Sequence, residues 1–309
     1  MALPGSGQIT LNQVNVELGL SGTAQIGMND AAVRALFGIA SGEIEMSDGY
    51  GKSSETLLTS AGNVNGQAQR QEITISNFIS SGGTLRVPSN IWVWSNSTNA
   101  ALIIDIPCTL INEGKIIGRG SGGSNQSGNP AIKINSGVTG VTITNSSGAY
   151  IAGGGGGGNG GSGNGGGAGG GIGYGGAGGA LNASGANGNN SQAGGGGFGG
   201  GAGGGGNGNA SQQSYFYGVG GGGGRILPGS GGAAGASGGG TGGSAGNNGT
   251  GGTVRVYGAA GYPGGAGGGG WGASGGNTPS GTGGAAGKAV DDSGVSYTLS
   301  NSGTIYGAT

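Results

Sequence analysis

The sequence predicts a mostly β and irregular chain in three parts. These are a small mixed α/β N-terminal module, a β-rich middle with stacked strand rungs, and a C-terminal sandwich of glycine-rich polyproline-II-type helices. Three observations predict it. Of 309 residues, 93 are Gly, and they gather in long runs after residue 152. Residues 54–122 hold segments that alternate apolar and polar side chains with the period of strands. One strand–turn–strand phrase, Thr109-Leu110-Ile111-Asn112-Glu113-Gly114-Lys115-Ile116-Ile117-Gly118, returns as Thr298-Leu299-Ser300-Asn301-Ser302-Gly303-Thr304-Ile305-Tyr306-Gly307. The parts divide at residues 1–53, 54–152 and 153–309.

In the first part, Gln8-Ile9-Thr10-Leu11-Asn12 returns as Gln25-Ile26-Gly27-Met28-Asn29, and loosely as Glu43-Ile44-Glu45-Met46-Ser47. The first two copies precede helix-like text over Val14–Leu18 and Ala31–Phe37. Asn29 suits an N-cap, Asp30 in the first turn suits the helix dipole, and Gly19 and Gly38 suit the C-termini. The module reads as short strand–helix units closed by the turn Asp48-Gly49-Tyr50-Gly51.

In the middle, Glu72–Ser76, Thr84–Val87 and Ile91–Trp94 read as strands, and Ala101–Ile106 as a more central one. A third copy of the long phrase runs from Thr142-Ile143-Thr144-Asn145 to Tyr150-Ile151. Copies therefore flank the glycine runs, and the expectation is that the first and last pair and clamp the body shut. Trp92 and Trp94 share one strand face, which places them in a core or at an interface with a neighbouring protein.

Gly and Pro make up about a third of the chain, beyond the level at which low complexity sets in. With 32% hydrophobic residues, one large apolar core is out of reach. Collagen needs Gly at every third position and abundant Pro, whereas Gly153–Gly158 is unbroken and Pro is scarce. Silk-like alternation with Ala or Ser is also missing. The remaining ordered arrangement is a set of extended left-handed helices with three residues per turn, whose N–H and C=O groups point outwards. Neighbouring helices satisfy those groups only where no Cβ holds the backbones apart. Ordering a residue costs about 1–2 kcal/mol and a hydrogen bond returns about 0.5–1.5 kcal/mol, so such a lattice forms cooperatively, anchored by β-structured ends. Bulkier side chains then belong in the breaks at Ala180–Ala193, Asn209–Val219, Arg225–Ser230, Thr253–Pro263 and Asn277–Thr282. Tyr174, Phe198 and Trp271 lie inside runs and are expected outside the lattice or against the β part.

Several function classes lack raw material. A net charge of -1 with 7% charged residues gives no electrostatic footprint for nucleic acid. There is no His, and Cys108 stands alone, so neither a disulfide framework nor a zinc site is expected, and Cys108 reads as a small buried hydrophobe. Met1–Gly7 lacks the basic and apolar regions of a signal peptide. The apolar run Ala100–Ile111 is broken by Asp105 and Pro107, so no direct membrane insertion is expected. No cofactor is expected either. Gly158-Asn159-Gly160-Gly161-Ser162-Gly163 matches a dinucleotide pattern only as any glycine tract does, and Gly51-Lys52-Ser53 lacks the leading Gly of a phosphate loop, Met46 standing there. No carboxylate occurs between Glu113 and Asp291, so the body has no acid pair for sugar hydrolysis and no enzyme is expected. Glu43, Glu45 and Asp48 read as a solvated strand face rather than a cation site, and Asp291-Asp292 as a surface turn.

Binding chemistry is better represented. Tyr215, Phe216 and Tyr217, beside Gln212 and Gln213, have the Tyr-rich, Gly/Ser/Asn-framed composition of antibody paratopes, which gives rigid amphipathic contact at low entropic cost. Arg255, Tyr257 and Tyr262 form a second candidate group. Asn182, Asn187, Asn189, Arg225, Leu227 and Asn277 are polar or break-borne candidates.

The glycine runs separated by mixed loops resemble the receptor-recognition adhesins that cap the long tail fibres of T-even phages. Thr109–Gly118 leading into glycine, Tyr150-Ile151-Ala152 before Gly153, and the ending Gly284-Ala285-Ala286-Gly287-Lys288 to Thr304-Ile305-Tyr306-Gly307 carry that resemblance. Gly5–Ser53 is similar to a module at the start of assorted phage tail proteins, whereas the first hundred residues differ in type from the T-even adhesins. The resemblance implies a polyglycine-II sandwich in a virion tail or tail-fibre tip, made in the host cytoplasm. It also implies distal loops that contact a host bacterial surface receptor, an outer-membrane protein or surface glycan, and an N-terminal region that attaches to another phage tail or fibre protein. The rival expectation is a structural tail or baseplate component whose glycine body is a spacer.

Overall fold

The repeated phrase folds as successive turns of one three-sided parallel β-solenoid. The computed structural model describes residues 3–64, 67–95, 97–121, 126–159, 240–241, 243–244, 246–251, 254–257, 260–263 and 266–309. The first turn holds β1 (Glu55–Leu57), β2 (Gly62–Val64), β3 (Gln67–Gln71) and β4 (Ile73–Thr74). The second holds β5 (Thr84–Val87), β6 (Ile91–Trp94) and β7 (Leu102–Ile104), and the third β8 (Thr109–Asn112), β9 (Lys115–Ile117) and β10 (Ile132–Ile134). The fourth begins with β11 (Thr142–Asn145) and β12 (Tyr150–Ala152). The chain then departs into the glycine-rich region, where β13 (Val254–Tyr257) and β14 (Ala260–Pro263) form a hairpin. It returns as β15 (Val290–Asp291), and β16 (Thr298–Asn301) and β17 (Thr304–Tyr306) follow.

Three sheets result, in the orders β1-β5-β8-β11-β16, β15-β10-β7-β4 and β17-β12-β9-β6-β3-β2. All solenoid pairs are parallel except β2 with β3. Stacking in register puts like residues in columns. Leu85, Leu110, Ile143 and Leu299 form one, and Val93, Ile116, Ile151 and Ile305 another. Leu102, Ile132 and Val290 line the third side. These side chains, apart from the half-buried Leu299 and Ile305, are fully buried, and each such burial is worth roughly 1.5–3 kcal/mol. Cys108 is buried among them, as expected, and burial raises its thiol pKa to about 11.

The clamp takes a different form from the expected one. The first and last copies of the phrase do not pair with each other. The third copy lies between them, Thr109–Asn112 against Thr142–Asn145 and Thr142–Asn145 against Thr298–Asn301. Residues 298–306 thus complete the same sheets that residues 55–152 begin.

Two further strand expectations need correction. Glu72–Ser76 is not one strand: Glu72 turns the corner at φ 46, Ile73–Thr74 joins the next sheet, and Ile75–Asn77 is a 3-10 turn. The alternation is real, but its residues belong to two sides of the solenoid. Of the pair expected as a surface turn, Asp292 does open one, its carbonyl accepting from the Val295 amide at 2.9 Å, whereas Asp291 ends a strand and its carboxylate pairs with Lys288 at 2.8 Å.

Residues 3–54 contain helices and no strand, so the α/β expectation for this module is overturned. Thr10 caps α1 (Leu11–Glu17), its Oγ accepting from the Gln13 amide at 3.3 Å while Gln13 Oε1 accepts from the Thr10 amide at 2.8 Å. This reciprocal box starts a helix inside the phrase that the strand–helix reading placed before it. For α2 (Ala31–Phe37) the cap is Asp30 rather than Asn29. The Asp30 carboxylate accepts from the Gly27 amide at 2.8 Å, and Asn29 Oδ1 accepts from Arg34. Gly19 and Gly38 follow the helices at positive φ, as expected. Glu45 and Asp48 bracket a 3-10 turn over Met46–Gly49 instead of a strand face. Leu3, Ile9, Val14, Val33 and Phe37 form the module's own core. The buried Glu17 carboxylate holds the segment that leads into the solenoid, accepting from Ser53 Oγ and the Ser54 amide at 2.9 Å each. Among the described residues no helix is long and apolar enough to cross a membrane.

Candidate binding surface

Successive residues of a strand face opposite ways, so with Val93 in the core Trp92 and Trp94 lie on the outer face of β6. Register extends that face as Trp92, Lys115 and Tyr150, and as Trp94, Ile117, Ala152 and Tyr306. Trp271, from the glycine-rich region, is fully buried against this patch. Lys115 Nζ sits 4.6 Å from the centre of the Trp92 ring and 5.8 Å from that of Tyr150, and burial pushes its pKa down. Tyr150 stacks on Tyr306 with centroids 6.4 Å apart. The indoles Trp92 and Trp94 are therefore core, at the junction of solenoid and glycine body. Trp271 takes the second of its two expected positions, packed on the β part.

From that seat the glycine segments bond sideways. Gly272, Gly269 and Ala266 donate to the carbonyls of Gly153, Gly156 and Asn159. Gly287 and Gly284 donate to Gly154 and Gly157. Gly154 and Gly157 donate in turn to Asn129 and Gln126, and Gly156 and Asn159 to Ala273 and Gly276. Every series steps by three residues, the lengths running from 2.7 to 3.0 Å. A second layer continues outward, Gly276 donating to Gly267, Gly267 to Thr250 and Thr250 to Thr241. The approach is too close for side chains: a Cβ on Gly153 would collide with the Gly287 carbonyl, and one on Gly156 with that of Gly284. Residues 126–129 join this array with Gly128 as their one glycine, which is why the sequence did not reveal them.

At the margins, side chains reappear. Asn159, which breaks the glycine stretch Gly153–Gly158, accepts from Thr278 Oγ1 at 2.6 Å and donates to the Thr282 carbonyl at 3.2 Å. Asn277 is exposed and its Oδ1 accepts from the Gly283 amide at 2.9 Å, so it closes the turn it was expected to present. The β13–β14 hairpin pairs Arg255 with Tyr262 and Tyr257 with Ala260. The structure thus brings the second candidate group into one hairpin and leaves Asn277 apart from it in sequence, in its own turn. Asn182, Asn187, Asn189, Gln213, Tyr215, Phe216, Tyr217, Arg225 and Leu227 lie outside the described residues, as do Tyr174 and Phe198.

Comparison with known proteins adds little to this geometry. No family model matches the chain. No curated protein matches it either. Among solved structures, the gp37-gp38 adhesin tip complex of the bacteriophage S16 long tail fibre aligns over 98% of this chain and 98% of its own, at 18% identity and a TM-score of 0.39.

Proposed function

We propose that this chain is a phage tail or tail-fibre tip protein, carried on the virion, that binds a host surface receptor through segments at the margins of a polyglycine-II body. The three-residue step of the lateral hydrogen bonds around Gly153–Asn159 is the observation that carries the reading. It is the repeat of a three-residue-per-turn helix that makes no bonds within itself and all of them with its neighbours. Such a body displays the intervening segments from a stiff base, which lowers the ordering cost of binding. The absence of His and of carboxylates between Glu113 and Asp291 supports a binding rather than a catalytic role. The N-terminal module, whose Glu17 holds the segment leading into the solenoid, is the proposed point of attachment to another tail or fibre protein.

Adsorption of the purified chain to host cells tests this directly. The expected result is saturable adsorption that competes with virions and disappears on a host mutant lacking one outer-membrane protein or one surface sugar. Failure to adsorb to any permissive host, with virions still adsorbing, leaves only a spacer role.

A further inference from the structure

The outer face of the sheet that carries β6, β9 and β12 holds one column that the glycine body does not bury whole. In register it runs Gln69, Trp92, Lys115, Tyr150 and Thr304, one residue from each of five strands. Trp271 joins Trp92, Trp94, Ile117 and Ala152 in a buried cluster, whereas Lys115, Tyr150, Thr304 and Tyr306 stay half-buried. Tyr306 lies beside the column, its ring nearly parallel to that of Tyr150, with an angle of 19° between them.

Lys115 is the one charge in that column, and it lacks an anion. Its Nζ lies 4.6 Å from the centre of the Trp92 ring and 5.8 Å from that of Tyr150. Among the described residues no oxygen takes any of its three N–H donors. The acid nearest in sequence, Glu113, is engaged by Arg86, and the next one along, Asp291, by Lys288. From Gly114 to Val290 the chain has no carboxylate at all. Burial works against the ammonium charge, with no neighbouring acid to offset it. A ring face returns only about 0.5–1 kcal/mol at an exposed site. Charge complementarity at this spot therefore asks for an anion from outside the described fold.

From this row we infer that Lys115, Tyr150 and Tyr306 form a site on the solenoid flank for an acidic saccharide, a sugar bearing a carboxylate or a phosphate. An ammonium is a compact point charge that forms charge-assisted hydrogen bonds with either group. A phenol ring offers an apolar face to a sugar's C–H face and a hydroxyl to its rim. The site lies on the solenoid rather than on the segments of the glycine body, so it goes beyond the receptor-binding reading and does not depend on it.

The test uses the full chain and three immobilised probes: polygalacturonate, a phosphomannan and neutral dextran. The parent should bind polygalacturonate, which assigns carboxylate, or the phosphomannan, which assigns phosphate, and should leave dextran alone. Lys115→Gln keeps much of the stem and removes the charge. It should weaken binding at least about tenfold, equivalent to roughly 1.4 kcal/mol, with Lys115→Arg close to the parent. A purely structural contact between Lys115 and Trp92 predicts instead a lower melting temperature with binding unchanged, and that result overturns the site. So does a parent that binds neither acidic probe. Should Lys115→Gln fail to fold, the parent itself decides the matter. Acetylation of Lys115 by an amine-selective reagent, followed by peptide mass, should be suppressed by the soluble acidic probe and not by dextran. Undiminished labelling overturns the site.

Discussion

Asn112 Nδ2 donates to Asn145 Oδ1 at 2.8 Å with both side chains fully buried, and Asn145 Nδ2 donates onward to Asn301 Oδ1 at the same distance. Asn112 also turns its own Oδ1 to the Gly114 amide at 3.1 Å, holding the corner between β8 and β9. The ladder threads three turns of the solenoid, and its middle member serves both neighbours. Asn145→Ala should cost about 2–3 kcal/mol, since it takes the Oδ1 acceptor away from the buried Asn112 Nδ2 donor, and a buried polar group left short of a partner loses about 1–3 kcal/mol. Asn301→Ala, at the exposed end, should cost less than half of that. Thermal denaturation of the two variants gives the ordering.

Gly156 is packed against the Gly284 carbonyl. Gly156→Ala should therefore destabilise by about 1–3 kcal/mol, the scale of an overpacked site. At Gly5 an added Cβ would meet nothing within 4 Å and φ is not positive, so Ala should be accepted there neutrally. Hydrogen exchange reads the same feature without mutation: the amides of Gly154, Gly156 and Gly157 should be protected, and exchange at free-peptide rates would remove the lattice.

Trp271 should be replaceable by Phe but not by Ala. Its ring fills the seat formed by Trp92, Trp94 and Ile117, while its indole N–H has no partner among the described residues. Trp271→Ala should cost about 3–5 kcal/mol; Trp271→Phe loses volume but no hydrogen bond. Near-UV circular dichroism should collapse in the first and persist in the second, with far-UV solenoid signal retained in both.

Arg86 bridges Glu55 at 2.7 Å and also contacts Glu113, joining the first three turns of one sheet. The Arg86 hydrogen bond holds the Glu55 carboxyl below its ordinary range, against the opposing effect of burial. A lowered carboxylate pKa stabilises the fold above the unfolded value, near 4.5, and that contribution fades as pH falls through the folded value. Glu55→Gln should flatten the acid limb of the stability profile below pH ~4.5 while lowering stability at pH 7 by about 1 kcal/mol or less.

Cys108 is the chain's single thiol, and burial has raised its pKa to about 11. The reactive thiolate is scarce at neutral pH. Iodoacetamide at pH 8 should leave the native protein unmodified and add one carbamidomethyl group once it is unfolded, as mass spectrometry would show.

Much of this architecture is legible because parallel in-register stacking writes itself into the sequence as repetition. Thr109–Ile117, Thr142–Ala152 and Thr298–Tyr306 carry matching residues at matching positions because their columns share one chemistry. The second turn hides from the same reading, since Val87 occupies the column position that Asn112, Asn145 and Asn301 fill. On the side formed by β4, β7, β10 and β15 only the first two are foreshadowed, in Glu72–Ser76 and Ala101–Ile106, because strands as short as Ile132–Ile134 and Val290–Asp291 are below the length at which alternation declares itself. In the N-terminal module the misreading is of another kind: Thr10 and Gln13 spell a capping box that starts the helix within the repeated phrase instead of after it. At the candidate surface, grouping Arg255 with Tyr257 and Tyr262 needed only proximity in sequence, but the pairing of Val254–Tyr257 with Ala260–Pro263 shows only in the hairpin register.

Gly287 donates to the Gly154 carbonyl at 2.7 Å, just after the chain leaves the fourth turn and just before it rejoins it. Exit and entry are thus one corner, and the stack imposes no length on what passes between them. Sequence exchanged inside those two points must keep Gly153–Asn159 and residues 266–287, whose lateral bonds and Trp271 seat close the corner. A one-residue slip within 298–306 would turn a whole column inside out. The frame that tolerates no such slip therefore runs beyond the solenoid and takes in the bonded glycines on both sides of the corner.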